Sequence, residues 1–249
     1  MLVDRNIRIA GALSEPRQSP YLADADGDLK TAIDLYLWNV DVAGALYEVL
    51  SIVEIVVRNS VDTQLRKWNS AMSRPDSPYP EEWSLDPAPV LRRTLRKPLE
   101  RAYRDAERAS RNRPDGHPGK NSPITHDDVV SQLSFGCWAL LLPSSQPENK
   151  SKRLLWNTAL VNSFPRAAAT SVSQMLSVTG EELVYGRLRR LIQLRNRVAH
   201  GESLLDVNLA ARSRDAYLLL GYIDPTMRDL VSGRSRVSVI ASNRPGMHA

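Results

Sequence analysis

The chain has 249 residues, of which 42% are hydrophobic and 24% charged, enough apolar content to build a packed core and too much for a disordered chain. Its 33 Lys and Arg exceed its 28 Asp and Glu for a formal charge of +5, a mild bias towards polyanions; 27 of the 33 are arginines, which suits phosphate binding and is also what a GC-rich genome produces. The longest apolar run, Cys137 to Leu142, is far short of the roughly 20 residues of a membrane-spanning helix, and one cysteine, Cys137, provides no internal disulfide, thiolate metal cluster or redox pair.

At the N-terminus, Asp4, Arg5 and Arg8 stand where a signal peptide needs an apolar stretch, so the expected location is the cytoplasm, with no membrane association. Proline clusters then mark three expected breaks, over 69–89, 111–123 and 143–149, and the segments between them read as helix. Leu46, Val49, Leu50, Val53, Val57, Val61, Leu65 and Trp68 follow the spacing of an amphipathic core helix. Leu91, Leu95, Leu99, Ala102 and Ala106 predict a second, whose opposite side carries Arg93, Lys97, Arg101, Arg104, Arg108 and Arg111.

A Thr125-x-x-Asp128 box predicts the start of a helix that buries Val129, Val130, Leu133, Cys137, Trp138 and Leu141. A second box, Thr179 to Glu182, opens a helix with Leu183, Leu188, Leu191, Ile192 and Leu194, and a third, Ser203 to Asp206, is expected to open one over 209–220. Alternation never persists beyond about four residues, and Val237 to Ile240 is the best candidate strand. The expected fold is all-α: one domain over 1–249 with its core over 20–240, a helical bundle with additional N- and C-terminal helices.

Glycine-loop, zinc-ligand and serine-elbow signatures are missing from the sequence. Of four histidines, His117, His126 and His248 lie in Pro-, Gly- or Asp-rich surroundings and are expected to be solvated, whereas His200 closes a helix just before Gly201. It ends the string Arg195-Asn196-x-x-x-His200; the only similar string, Arg111-Asn112 to His117, falls among Pro114, Gly116 and Pro118, where nothing fixes its geometry. On a helix, His200 lies nearly above Asn196, while Arg195 is about 140° round, on the side of Leu188, Leu191 and Ile192. Two readings are open at this point: a catalytic pair, or a structural arginine paired with Glu54 plus a capping histidine.

Four blocks bear on that choice: Gly27-Asp28 through Leu35-Tyr36-Leu37-Trp38-Asn39; Val53 to Asn59; Leu133-Ser134-Phe135-Gly136-Cys137-Trp138; and Leu194 to His200 followed by Gly201-Glu202. In their order and spacing they resemble the Abi-like (abortive infection) family of the HEPN superfamily, over roughly residues 20 to 240. The resemblance implies a HEPN-type helical bundle and a metal-independent RNA endonuclease without cofactor, a toxin or phage-defence effector whose Arg-x4-His motif works in a homodimer. It assigns Arg195 and His200 as the catalytic pair with Asn196 between them, and Glu54, Arg58 and Asn59 as auxiliary polar residues. Relatives often carry a second histidine or other polar residue where this chain has Gly201.

The chemistry suits these residue types, because RNA supplies its own 2′-hydroxyl nucleophile and needs proton transfer and charge stabilisation at phosphorus. A single histidine leaves an acid or a base to be found, which a two-fold dimer supplies. Arg93, Lys97, Arg101, Arg104, Arg108 and Arg111 would form a track for the RNA backbone, or else a solvated face balanced by Glu100, Asp105 and Glu107. An antitoxin of protein or RNA is the partner that the family analogy adds. The rival functions are a non-catalytic protein that binds RNA, for example a non-coding RNA, and a helical scaffold for a protein partner. For Glu54 and Arg58, four residues apart, a plain helix-surface pair is the competing role.

Overall fold

A computed structural model describes residues 2–143, 150–167 and 179–246, and every regular element within them is helical. In chain order these are α1 (Leu2–Ala12), α2 (Glu15–Asp24), α3 (Leu29–Ser70), α4 (Pro89–Arg111), α5 (His126–Gln132), α6 (Phe135–Leu141) and α7 (Lys150–Thr158), a 3₁₀ turn at Leu160–Ser163, then α8 (Gly180–Ala199), α9 (Leu209–Ile223), α10 (Pro225–Arg234) and α11 (Val237–Ser242). Among the described residues no helix is long and apolar enough to cross a membrane. The chain forms two compact units, one of Met1–Val53 with Arg190–Ala249 and one of Glu54–Arg189, so that the division falls inside α3 and α8.

Helix α3 is 42 residues long and starts well before the expected Leu46. Gly27, at φ +85°, makes the turn into it, and the Asp28 carboxylate accepts from the Thr31 amide at 2.8 Å and the Thr31 hydroxyl at 2.6 Å. Leu35, Trp38, Val42 and Ala45 are buried in continuation of the stripe from Leu46 onwards. Gly44 interrupts this segment without a packing reason, since a methyl group there would meet nothing within 4 Å.

In the first unit, Tyr21 of α2 packs edge-on against Tyr36 of α3 with ring centroids 5.4 Å apart, and Leu22, Leu35 and Leu205 join that cluster. Helix α9 packs against α10 and α11. Its buried Asp215 receives a two-pronged contact from Arg190, at 2.8 and 2.7 Å, and a further ion pair from Arg212 at 2.9 Å.

Two expectations are corrected here. The cap of α9 is Asn208, which accepts from the Ala211 amide at 2.9 Å, and not Ser203, because Asp206 of the expected box is taken by Arg197 at 2.6 Å. Val237 to Ile240 is the body of α11 rather than a strand: without a neighbouring strand its backbone groups find partners only by coiling, and its end is tied down where Trp38 Nε1 donates to the Ile240 carbonyl at 2.8 Å.

In the second unit, Leu91, Leu95, Leu99, Ala102 and Ala106 of α4 are all buried, and α4 packs against α5, α6 and α7. The Thr125 to Asp128 box caps α5 as the sequence predicts, but the helix breaks at Leu133, which is extended, and restarts as α6 after Ser134. The box from Thr179 to Glu182 also forms, with the Thr179 amide donating to the carboxylate at 2.8 Å. The proline-rich segment after α3 is stapled by Asn69, fully buried, which donates to the carbonyls of Pro80 at 2.6 Å and Asp86 at 3.1 Å and accepts from the Ala88 amide at 2.9 Å.

Next to this staple, Asp62 Oδ1 accepts from Trp83 Nε1 at 2.7 Å and from His126 Nε2 at 2.9 Å, while Oδ2 accepts from Arg66 Nε at 3.0 Å. His126 is 3% exposed, not solvated as its Asp-rich surroundings suggest, since α5 starts with its ring pointing into the core. A carboxylate can only accept, so Nε2 carries the hydrogen, and Nδ1 accepts from the Ser84 hydroxyl at 2.8 Å, with the Ser84 amide 3.4 Å away. Burial by itself pushes the Asp62 carboxyl up, but the hydrogen bonds from His126, Arg66 and Trp83 outweigh it and hold the group below the ordinary 3.8.

Two stability predictions follow from these helices. Gly44→Ala should raise the urea unfolding free energy by about 1 kcal/mol, the gain of replacing glycine in an open helix interior; an unchanged or lower value would contradict the space around Gly44. Asp62→Asn should cost about 2–3 kcal/mol at pH 7. Because the folded carboxyl is depressed, its contribution is complete above the unfolded value and is lost as pH falls through the folded one, so the gap between wild type and Asp62→Asn should narrow below about pH 4. Urea midpoints at pH 7 and pH 3 check this.

Candidate functional site

Helix α8 ends in a turn that fixes the backbone of His200. Gly201 adopts φ +61°, its amide reaches the Val198 carbonyl at 3.2 Å, and the Glu202 amide reaches back to the Arg197 carbonyl at 2.9 Å, the paired bonds of a Schellman cap. Position 201 is therefore one where this chain needs left-handed backbone, and glycine suits it. His200 itself stays in register with the helix through its amide bond to the Asn196 carbonyl at 2.9 Å, and its side chain is exposed.

Two side chains hold this turn from outside, and a third, Arg197, from within it. Arg17 of α2 donates through Nη1 to the Gly201 carbonyl at 2.7 Å and through Nη2 to the His200 carbonyl at 3.4 Å. Asn39 of α3, 3% exposed, donates to the Glu202 carbonyl at 3.4 Å and accepts from the Leu204 amide at 2.7 Å. Arg197 closes the loop on Asp206 at 2.6 Å and lies 3.7 Å from Glu202; the hydrogen bond to Asp206 raises the Arg197 guanidinium and lowers the Asp206 carboxyl from their ordinary values.

His200 borders a cleft of about 360 Å³ that it shares with Pro16, Arg17, Tyr21, Glu202 and Ser203. Burial pushes the Tyr21 hydroxyl above the usual phenol value, although a hydrogen bond with Ser203 pulls the other way. The cleft thus combines an exposed imidazole with a guanidinium beside it, groups able to move a proton and to meet negative charge. Arg17 is a residue that sequence reasoning missed, and no local signal could have found it, because it lies 183 positions from His200.

The other motif residues are placed as follows. Arg195 is half-buried and Asn196 exposed, on the last turns of α8, and the cleft at His200 is lined by neither. Glu54, Arg58 and Asn59 belong to the second unit, on α3; Glu54 and Arg58 lie 3.7 Å apart, the helix-surface pair that their spacing allows, and Asn59 is exposed with its carbonyl accepting from the Thr63 hydroxyl at 2.8 Å. His117 is exposed in its loop, its Nδ1 accepting from the Gly119 amide at 3.0 Å, while His248 lies outside the described residues.

On α4 all six of Arg93, Lys97, Arg101, Arg104, Arg108 and Arg111 are exposed. Asp105 engages two of them, Arg101 at 3.6 Å and Arg108 at 3.3 Å, and Arg93 donates to the Ser151 hydroxyl at 3.1 Å. Among the described residues no group of three or more His, Cys, Asp or Glu side chains is arranged to hold a metal ion.

The turn after His200 yields a prediction of its own. Gly201→Ala places a methyl group in left-handed backbone and 2.8 Å from Arg17 Nη1, a side-chain end that can move. The backbone strain should cost about 1–2 kcal/mol, read as a lower urea midpoint, and an unchanged midpoint would mean that the cap is not formed. No protein-family model, no curated protein and no solved structure matches the chain.

Proposed function

We propose that the chain is a metal-independent RNA endonuclease of the HEPN type, an abortive-infection effector or toxin acting in the cytoplasm. The observation that supports this most is His200: an exposed imidazole on a turn held by Arg17 and Asn39, at the end of an Arg-x4-His string. In the proposed reaction the RNA 2′-oxygen attacks the adjacent phosphorus as His200 takes its proton. The bond from phosphorus to the 5′-oxygen breaks, that oxygen is protonated, and a 2′,3′-cyclic phosphate remains. Arg195 of the motif and Arg17 of the cleft are the cations proposed to meet the charge that builds up on the phosphoryl oxygens.

One imidazole serves as base or acid, and a homodimer that pairs two His200 side chains provides both. An activity of this kind calls for an antitoxin, protein or RNA, to restrain it. A second reading, RNA binding without cleavage, is favoured by one observation, the exposed cationic face of α4.

The test is incubation of total cellular RNA with wild type, His200→Ala and Arg17→Ala in EDTA. Wild type should leave 2′,3′-cyclic phosphate ends, and His200→Ala should be slower by about 10²–10⁴. Arg17→Ala should also lose activity, through both the lost charge and the loosened turn. RNA that stays intact but is retained by the wild type would support the binding protein instead.

A further inference from the structure

In the second unit, Ser84, Leu85 and Pro87 and helix α4 border a cleft of about 400 Å³ that is separate in sequence and unit from His200. Arg92, Arg96 and Arg104 line it with one carboxylate, Glu100. Tyr103 and Leu85 line it too, 41% and 44% exposed, apolar side chains that the fold leaves uncovered. Arg92 is tied to Asp86 at 3.1 Å, whereas among the described residues no hydrogen bond or ion pair engages Arg96 or Arg104.

An exposed aromatic ring in one cleft with unengaged guanidiniums is what an unpaired nucleic-acid strand requires. Its bases stack on the ring and its phosphates pair with the cations. Arg96 and Arg104 stand about two helical turns apart, ~12 Å along the axis, with Glu100 midway between them and Tyr103 next to Arg104. The stripe read from the sequence is less favourable as a plain backbone track, because Asp105 offsets Arg101 and Arg108. A duplex also keeps its base faces stacked inside, out of reach of Tyr103.

We infer that this cleft binds single-stranded RNA, with a base stacked on Tyr103 and neighbouring phosphates on Arg96 and Arg104. The choice of RNA as the polyanion rests on the ribonuclease reading above; the stacking and charge geometry belong to the cleft alone. The substrate class so named is an unpaired segment, a loop or a tail, rather than a continuous duplex.

The test is fluorescence anisotropy with a labelled single-stranded oligoadenylate, in the full chain carrying His200→Ala so that the strand is not cut. Tyr103→Ala should weaken binding about tenfold, Tyr103→Phe should retain it, and Tyr103→Leu, which keeps an apolar side chain without an aromatic face, should behave like the alanine variant. Arg96→Gln and Arg104→Gln should each reduce the slope of log affinity against log salt by about 0.7, the value for one phosphate contact on a single strand. Arg101→Gln should change it less.

Unchanged affinity in both Tyr103→Ala and Tyr103→Leu would overturn the inference. So would a blunt RNA duplex bound as tightly as the single strand, or adenosine monophosphate bound as tightly as the oligoadenylate. Binding is read here without cleavage, so an inactive wild type leaves this result standing, and failed binding leaves the cleavage experiment to be judged by itself.

Discussion

Asp62 carries a carboxylate into the side of a helical unit, and the surrounding elements are arranged to satisfy it. Arg66 comes from the next turn of the same helix, but Trp83 comes from the proline-rich segment and His126 from the first turn of α5. A half-buried charge left with one partner missing costs more than an exposed one, so the three donors support one another. The hydroxyl, imidazole and carboxylate of Ser84, His126 and Asp62 stand in the order of a nucleophile relay. One feature marks this set as structural: Trp83 and Arg66 share the carboxylate.

This network turns a segment with no regular structure into a fixed wall. With Asn69 stapling Pro80, Asp86 and Ala88, and Trp83 anchored on Asp62, the backbone over 83–87 is held alongside α4. The position of Leu85 opposite Tyr103 and Arg96 is a consequence, and so is the cleft between them.

The first unit solves a similar problem with a neutral side chain. Asn39 spans the loop after His200, bonding on one side to the Glu202 carbonyl and on the other to the Leu204 amide. Several residues of the blocks that carry the family resemblance have such structural tasks: Gly27 and Asp28 turn and cap α3, Leu133 and Ser134 separate α5 from α6, and Gly201 closes α8. His200 is different in kind. Its side chain is exposed at the edge of a cleft that neither Arg195 nor Asn196 lines.

The sequence by itself determined what depends on residues three or four positions apart. The apolar stripes of α3 and α4, the caps at Thr125 and Thr179 and the all-helical class could all be read from it, because helix periodicity and capping are local interactions. Local pattern misled where a distant partner competed. Arg197 claimed Asp206 from the expected cap, helical neighbours denied Val237 to Ile240 a strand to pair with, and Asp62 drew His126 into the core. Only the tertiary structure could decide those, and it also brought Arg17 to His200 and Trp83 to Asp62. A polar group's partner is whichever donor the folded chain delivers within about 3 Å, and over such separations in sequence no periodicity encodes which one that is.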